Sequence, residues 1–409
     1  MLLRTVLLIS GLLLALPCTS ADSIRIAEID AFSGPFADQG ISFQNHVRMA
    51  VDDINSRGGV LGGRKLELVT FDGKANPQES LLALQQVIDQ DIRILVQASG
   101  SAVAAATIDA IAKNNARNPE HSMLYLNMGA LDPALTNDKC SFWHFRFIPH
   151  GDMILQLLTD AIAQRKDIRT VYLINQDYAW GQSVSRDAKA MLAKKRPDVR
   201  IVGDDLHSLG KVKDFSPYVA KIKASGADAV VTGNWGNDLN LLVRASKETG
   251  LKADLYAPLS YMQGGPTAMG EAGADRVKMV STWHANVDNN ALERYAADYR
   301  ARYKADWTWL PVKYTIDMLA TAINQAQSAD PLAVGKALED LRIKGPTGEA
   351  WMRREDHQLI APMYLATFSK AGQPPVRNDA EGTGYGWKTD LRMEGRDVAP
   401  STTCRMQRP

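Results

Sequence analysis

The sequence carries almost no net charge: 47 Lys and Arg stand against 46 Asp and Glu, a formal +1 over 409 residues. No basic surface therefore argues for nucleic acid, and no acidic tail argues for a charged partner. Cysteine is scarce as well. Of three, Cys18 falls in an N-terminal apolar segment, which leaves Cys140 and Cys404. Their spacing excludes a zinc cluster, and neither has the local context of a catalytic thiol. Catalytic signatures are missing. GGVLGGRK at residues 58–65 lacks the GK[ST] ending of a phosphate loop, no H-E-x-x-H or G-x-S-x-G occurs, and no G-x-G-x-x-G follows a strand. His46, His284 and His357 are scattered singly and read as surface or core histidines. These absences count against an exported α/β hydrolase, and no enzyme activity, cofactor or metal is expected. Tandem repeats of short period and low-complexity tracts are absent too.

Long apolar runs are limited to one, Val6 to Leu16. Arg4 supplies a positive charge ahead of it, and Pro17 to Ala21 adds small and turn-forming residues, so residues 1–21 read as an export signal cleaved after Ala21. A membrane anchor would need roughly 20 apolar residues. Cys18 leaves a lipoprotein alternative, against which Pro17 stands, because a lipobox wants Gly or Ala there. The mature chain is expected in the periplasm. Two cysteines in an oxidising compartment are expected to pair, and a Cys140–Cys404 bridge would tie the C-terminus back to the middle of the chain.

What is present is organised around residues 24–76. Ile24, Ile26 and Ile29 form a short apolar run that stops at Asp30, and Ser33-Gly34-Pro35 reads as a turn. Val47, Met49, Ala50, Val51 and Ile54 then recur at helical spacing. Gly58, Gly59, Gly62 and Gly63 close that helix, and Leu66, Leu68, Val69 and Phe71 begin a second strand. Strand, helix and strand make a βαβ unit, whose strands are normally parallel. The alternation continues down the chain, and 45% hydrophobic content is ample for two cores.

SGPFADQG at residues 33–40, AVDDINSRGGVLGGRKLEL at 50–68 and the following Asp72 carry a resemblance. They are similar to periplasmic solute-binding proteins of the leucine/isoleucine/valine type, the two-lobed ligand catchers of ABC importers, and the likeness covers residues 23 to 370. It implies an α/β fold of two Rossmann-like lobes, each a mainly parallel sheet flanked by helices, joined by a three-crossing hinge. The first lobe is expected over 22–145 with 280–348, and the second over 146–279 with 349–371. Crossings are expected near Phe142 to Phe147, Val277 to Thr282 and Gly348 to Met352, with a loop-rich tail over 372–409. Partners implied are a small ligand and an ABC permease met peripherally by a monomer. A sensor reporting to a separate receptor is the functional alternative.

In open α/β sheets, ligands sit at the carboxyl ends of strands, beside helix N-termini that favour anions. Ser99-Gly100-Ser101 follows a strand and precedes a helix, so it is a candidate carboxylate holder; its plainer reading is a helix cap. The resemblance favours the first reading and points to Ser101, with Ser99 close by. The next strand opens into Gly129, Ala130 and Leu131, and Leu131 stands where relatives have an assisting threonine. Tyr178, Trp180 and Trp235 fall at strand-to-helix turns of the second lobe, as lids over a flat or apolar ligand or as hinge packing. Relatives pair the ligand ammonium with an acid after a proline; here Leu259 follows Pro258, with Tyr261 nearby. The tryptophan that caps the side chain in leucine binders appears as Gln39. Burying an ammonium without a carboxylate costs several kcal/mol. A micromolar complex totals only about 8 kcal/mol. The expected ligand is therefore a small aromatic or aliphatic carboxylic acid, with a branched-chain amino acid second if Asp238 or Glu271 supplies the acid.

Overall fold

Ile24, Ile26, Ala27 and Ile29 are all buried in β1 (Ile24–Asp30), so its apolar residues run on instead of alternating. That pattern marks a parallel strand covered by helices on both faces. The computed structural model describes residues 23–287 and 290–409. The expected signal segment, with Cys18, lies outside the described residues.

From β1 the chain alternates through α1 (Ala37–Ser56), β2 (Leu66–Asp72), α2 (Pro77–Asp89), β3 (Ile94–Gln97), α3 (Ser101–Arg117), β4 (Leu124–Asn127) and β5 (His144–Arg146). These five strands are parallel, in the order β5-β4-β3-β1-β2. Phe43, Val47, Ala50, Val51 and Ile54 form the buried stripe of α1. Asn76 starts α2, its side chain accepting the N–H groups of Gln78 and Glu79, with Pro77 just inside.

A second sheet repeats the scheme with α4 (Gly151–Gln164), β6 (Thr170–Gln176), α5 (Ala179–Lys195), β7 (Arg200–His207), α6 (Ser216–Ala224), β8 (Ala229–Val231), α7 (Gly236–Glu248), β9 (Asp254–Tyr256), α8 (Gly265–Met269) and β10 (Val277–Ser281). Its parallel part is ordered β10-β9-β8-β6-β7. The chain then returns through α9 (Asn290–Tyr303), α10 (Leu310–Ala326) and α11 (Pro331–Leu338) to β11 (Arg342–Gly345), β12 (Gly348–Arg353) and β13 (Gln358–Ile360). Those three strands extend the first sheet beyond β5. Finally β14 (Met363–Lys370) and β15 (Tyr385–Met393) add antiparallel edge strands beside β10. Two mixed, mostly parallel sheets flanked by helices result, as expected. Each sheet with its helices is a lobe.

The first two crossings fall at the ends of their expected stretches, and the third differs in place from the sequence expectation. β5 and β10 stay in their own sheets to their last residues, so the first two crossings fall at residues 147–150 and after Ser281. The third lies at residues 361–362, because β12 and β13 bond into the first sheet and leave only Met363 onward in the second. The tail is also less loop-rich than expected. β15 pairs with β14 along its length, and Trp387 packs 5.1 Å from the Phe368 ring, which anchors this edge strand to the core.

Cys140 and Cys404 form the expected disulfide across a sequence separation of 264. Beside it, Asn137 accepts from the Thr403 N–H at 2.9 Å, and Arg408 reaches Glu339 at 2.8 Å. The C-terminus is thus held on the first lobe. A bridge closing so long a loop restricts the unfolded chain by about 5 kcal/mol at most. Cys140→Ser, Cys404→Ser and the double variant are each expected to lose ~2–5 kcal/mol in urea unfolding, with the double no worse than the singles. Two titratable thiols in the exported, unreduced protein would refute the bridge.

Candidate functional site

The carboxyl ends of the two parallel sheets face each other. On the first lobe, β3 ends at Gln97 and α3 begins at Ser101, with Gly100 as an extended N-cap and no side chain capping the helix. The first N–H groups of α3 are thereby available to a ligand, and the helix dipole favours an anion there. Ser101 Oγ accepts the Asp132 N–H at 3.1 Å, which leaves its own proton to donate. A methyl group at residue 100 would come within 3.4 Å of the Tyr178 ring and 3.7 Å of Trp235. Glycine here lets the turn and the opposing rings approach closely.

On the second lobe each ring is fixed by its polar edge. Trp235 donates its indole N–H to Tyr178 Oη at 2.9 Å, and Trp180 donates to the Gly233 carbonyl at 2.8 Å. Trp180 also lies over Gly151, where a methyl would sit 2.4 Å from the ring, so only glycine fits there. Burial pushes the Tyr178 phenol well above its ordinary range, keeping it a neutral hydroxyl. The lobes are in contact. Asp72 accepts from the Phe32 N–H at 2.9 Å and the Ser33 hydroxyl at 2.6 Å, holding the turn that sends Phe36 across to Trp235, 4.4 Å between ring centres.

Between the lobes lies a cavity of about 20 Å³, little more than the roughly 10–15 Å³ a single water needs. A ligand enters only as the lobes part. Seven of the expected residues line it: Ser101, Gly129, Leu131, Tyr178, Trp180, Trp235 and Leu259. Four do not. Ser99 turns its hydroxyl down onto Asp30 at 2.6 Å, so it shapes the turn from beneath. Ala130 is buried in the core behind the sheet, its N–H bonded to Asn127 at 2.8 Å. Gln39 spans the lobes instead, donating to the Gln263 carbonyl at 2.9 Å. Tyr261 stacks on Trp309, 5.5 Å between centres, and lines a neighbouring cavity.

Phe43, Met262 and Trp309 line the cleft unforeseen, as does Ala98, while Gly100 lines it from the expected Ser99-Gly100-Ser101 turn. Trp309 ends a loop just before α10 and donates its N–H to the Met128 carbonyl at 2.9 Å. An aromatic immediately ahead of a helix was the available signal for it. No lining side chain is charged. Asp238 is buried but bonds Gln176 and the Gly210 N–H, each at 2.8 Å, and Glu271 is exposed away from the cavity.

Comparison with known proteins agrees with this architecture. Residues 23–373 match a family model described as periplasmic binding protein. A Brucella abortus protein named Leu/Ile/Val-binding protein homolog 4 is 32% identical over 402 residues, covering 95% of this chain and 94% of that one. The crystal structure of a Brucella ovis leucine-, isoleucine-, valine-, threonine- and alanine-binding protein, in a closed conformation, superposes with a TM-score of 0.84 at 30% identity, covering 95% of this chain and all of that one. A Rhodopseudomonas palustris BisB5 solute binding protein of an ABC transporter, in complex with 3,4-dihydroxy benzoic acid, shares the fold with a TM-score of 0.77 at 16% identity, covering 91% of this chain and 98% of that one.

Beneath the turn, burial pushes the Asp30 carboxyl up from 3.8 to about 7, against the downward pull of its Ser99 and Ala98 donors. The unfolded carboxyl ionises near ~4, so between about pH 4 and pH 7 only the folded chain still holds this proton. Its contribution to stability is greatest below that window and falls as pH rises through it. Asp30→Asn is expected to remove this slope, gaining on the order of 1–4 kcal/mol relative to the parent between the two ends. Urea unfolding at a series of pH values measures it; parallel curves for the two proteins would refute it.

Proposed function

The chain belongs to the periplasmic binding protein family as an ABC-transporter solute-binding protein of the leucine/isoleucine/valine type, and from that premise we propose its ligand and its cycle. The family is not enzymatic. The ligand is a small carboxylic acid with a flat or branched apolar body. One observation carries this reading: the cleft is lined without a single charged side chain, while donors converge at one end of it. The Ser101 hydroxyl and the open N–H groups of α3 suit a carboxylate. An ammonium would lose its hydration there and meet no counter-charge. Trp180, Trp235, Trp309 and Phe43 supply ring faces and edges for the apolar body.

The same fold takes such a ligand elsewhere, in the Rhodopseudomonas palustris protein with its dihydroxybenzoic acid. A hydrophobic amino acid is the second reading, favoured by the name of the Brucella abortus relative. It requires an acid from outside the lining. Asp238 is the candidate, since its Oδ1 is buried without a partner on the helix that begins at Trp235.

Closure drives the cycle. The open chain, exported to the periplasm, samples the closed form, and the ligand shifts that equilibrium only by its differential affinity for the closed state. The closed lobes then present a joint surface to the permease. A thermal-shift screen on refolded, ligand-free protein tests the ligand class. Benzoate, hydroxybenzoates and phenylacetate are expected to raise the melting temperature, and leucine, isoleucine, valine and phenylalanine are not. Trp235→Ala and Ser101→Ala should each weaken the best acid about tenfold, ~1.4 kcal/mol. Stabilisation by the amino acids alone rejects the acid; unchanged affinity in both variants rejects the cleft.

A further inference from the structure

We propose that the chain carries a second ligand site, for a small organic cation, in an aromatic cavity between the second crossing, α9 and the segment that leads into β15. The cavity encloses about 270 Å³, against about 20 Å³ in the cleft, and the two share no lining residue. They are neighbours all the same, since Tyr261 of the larger cavity stacks on Trp309 of the smaller.

Three indoles, Trp283, Trp307 and Trp387, belong to its wall, with Trp283 and Trp307 inclined to each other at 4.7 Å between centres. Indole faces are the strongest side-chain partners for an organic cation. The charge around them has the matching sign. Glu293, Asp306, Asp379 and Glu381 line the cavity against Arg300 and Arg377. Arg300 is already bonded to Asp306 at 2.7 Å, and Arg377 is exposed. His284 adds no positive charge, because burial lowers it to about 3. The surplus is acidic. Among the described residues no group of three metal-ligating side chains comes together, so the acids do not form a metal site.

A small organic cation satisfies ring and charge together. Choline is such a cation and is the probe. Neopentylcarbinol is its neutral isostere, with carbon in place of nitrogen.

Calorimetric titration of the full chain tests the site. Choline is expected to bind saturably at about 10 mM or below. The isostere should bind about tenfold more weakly, reflecting the lost cation–π attraction. Glu293→Gln, at an exposed position, should weaken choline about threefold. Its melting temperature and its affinity for the cleft ligand are expected to stay unchanged. Trp387→Phe, which retains an aromatic anchor for β15, should also weaken choline. Choline binding should persist in Trp235→Ala, which disables only the cleft. Equal affinity for choline and its isostere, no saturation, or loss of choline binding in Trp235→Ala would each overturn the proposal, the last by putting the cation in the cleft.

Discussion

A parallel sheet covered by helices on both faces has one place left to meet a ligand: the ends of its strands. Both sheets here obey that constraint, and the cleft follows from it. The end of β3 gives Ala98, Gly100 and Ser101; the end of β4 gives Gly129 and Leu131. Across the gap, the end of β6 gives Tyr178 and Trp180, the end of β8 gives Trp235, and the end of β9 gives Leu259 and Met262. Opposing the sheets end to end puts a helix N-terminus against indole rings. Topology thus supplies the helix N-terminus on one side, and the residues placed at the opposing strand ends supply the π faces on the other.

The same constraint explains how much was legible in the sequence. Strand ends can be read from apolar runs that stop at small or turn-forming residues, so Ser101, Leu131, Tyr178, Trp180 and Trp235 were within reach, while Leu259 came only through the family resemblance. Phe43 and Trp309 come from α1 and the start of α10, and apolar periodicity marks a helix face without saying what it faces. Ser99 failed for a different reason. Two hydroxyls flank one glycine, and nothing in the spacing tells which points at a ligand; the buried Asp30 decides, by claiming the Ser99 hydroxyl. The third crossing was misplaced because β11, β12 and β13 are short and hairpin-linked, a local pattern that either sheet accommodates. Which sheet receives them depends on pairing with β5, more than two hundred residues earlier.

Closure rests on contacts that cost little to make and little to break. Phe36 stacks on Trp235, Gln39 bonds the Gln263 carbonyl, and a methyl at Gly236 would come within 3.1 Å of Phe36. A ring stack and a neutral hydrogen bond contribute only about 0.5–1.5 kcal/mol each, and the Tyr261–Trp309 stack between the lobes is of the same kind. An interface of that strength holds the lobes without locking them, so the ligand's own contacts can decide the population.

The buried acids under the Ser99-Gly100-Ser101 turn belong to the same design. Glu28 and Asp30, two residues apart on β1, project to one side of the sheet. Burial first, and then the proximity of Asp30, raises Glu28 well above its usual range, and its carboxyl oxygens have no partner. A protonated Glu28 adds no negative charge behind the turn. Asp30 does the local work instead, accepting from the Ala98 N–H at 3.0 Å and from Ser99. Those donors are directed inward, and what is left facing the cleft is the Ser101 hydroxyl and the first turn of α3. A residue outside the cleft lining therefore selects which donors of the turn face the cleft.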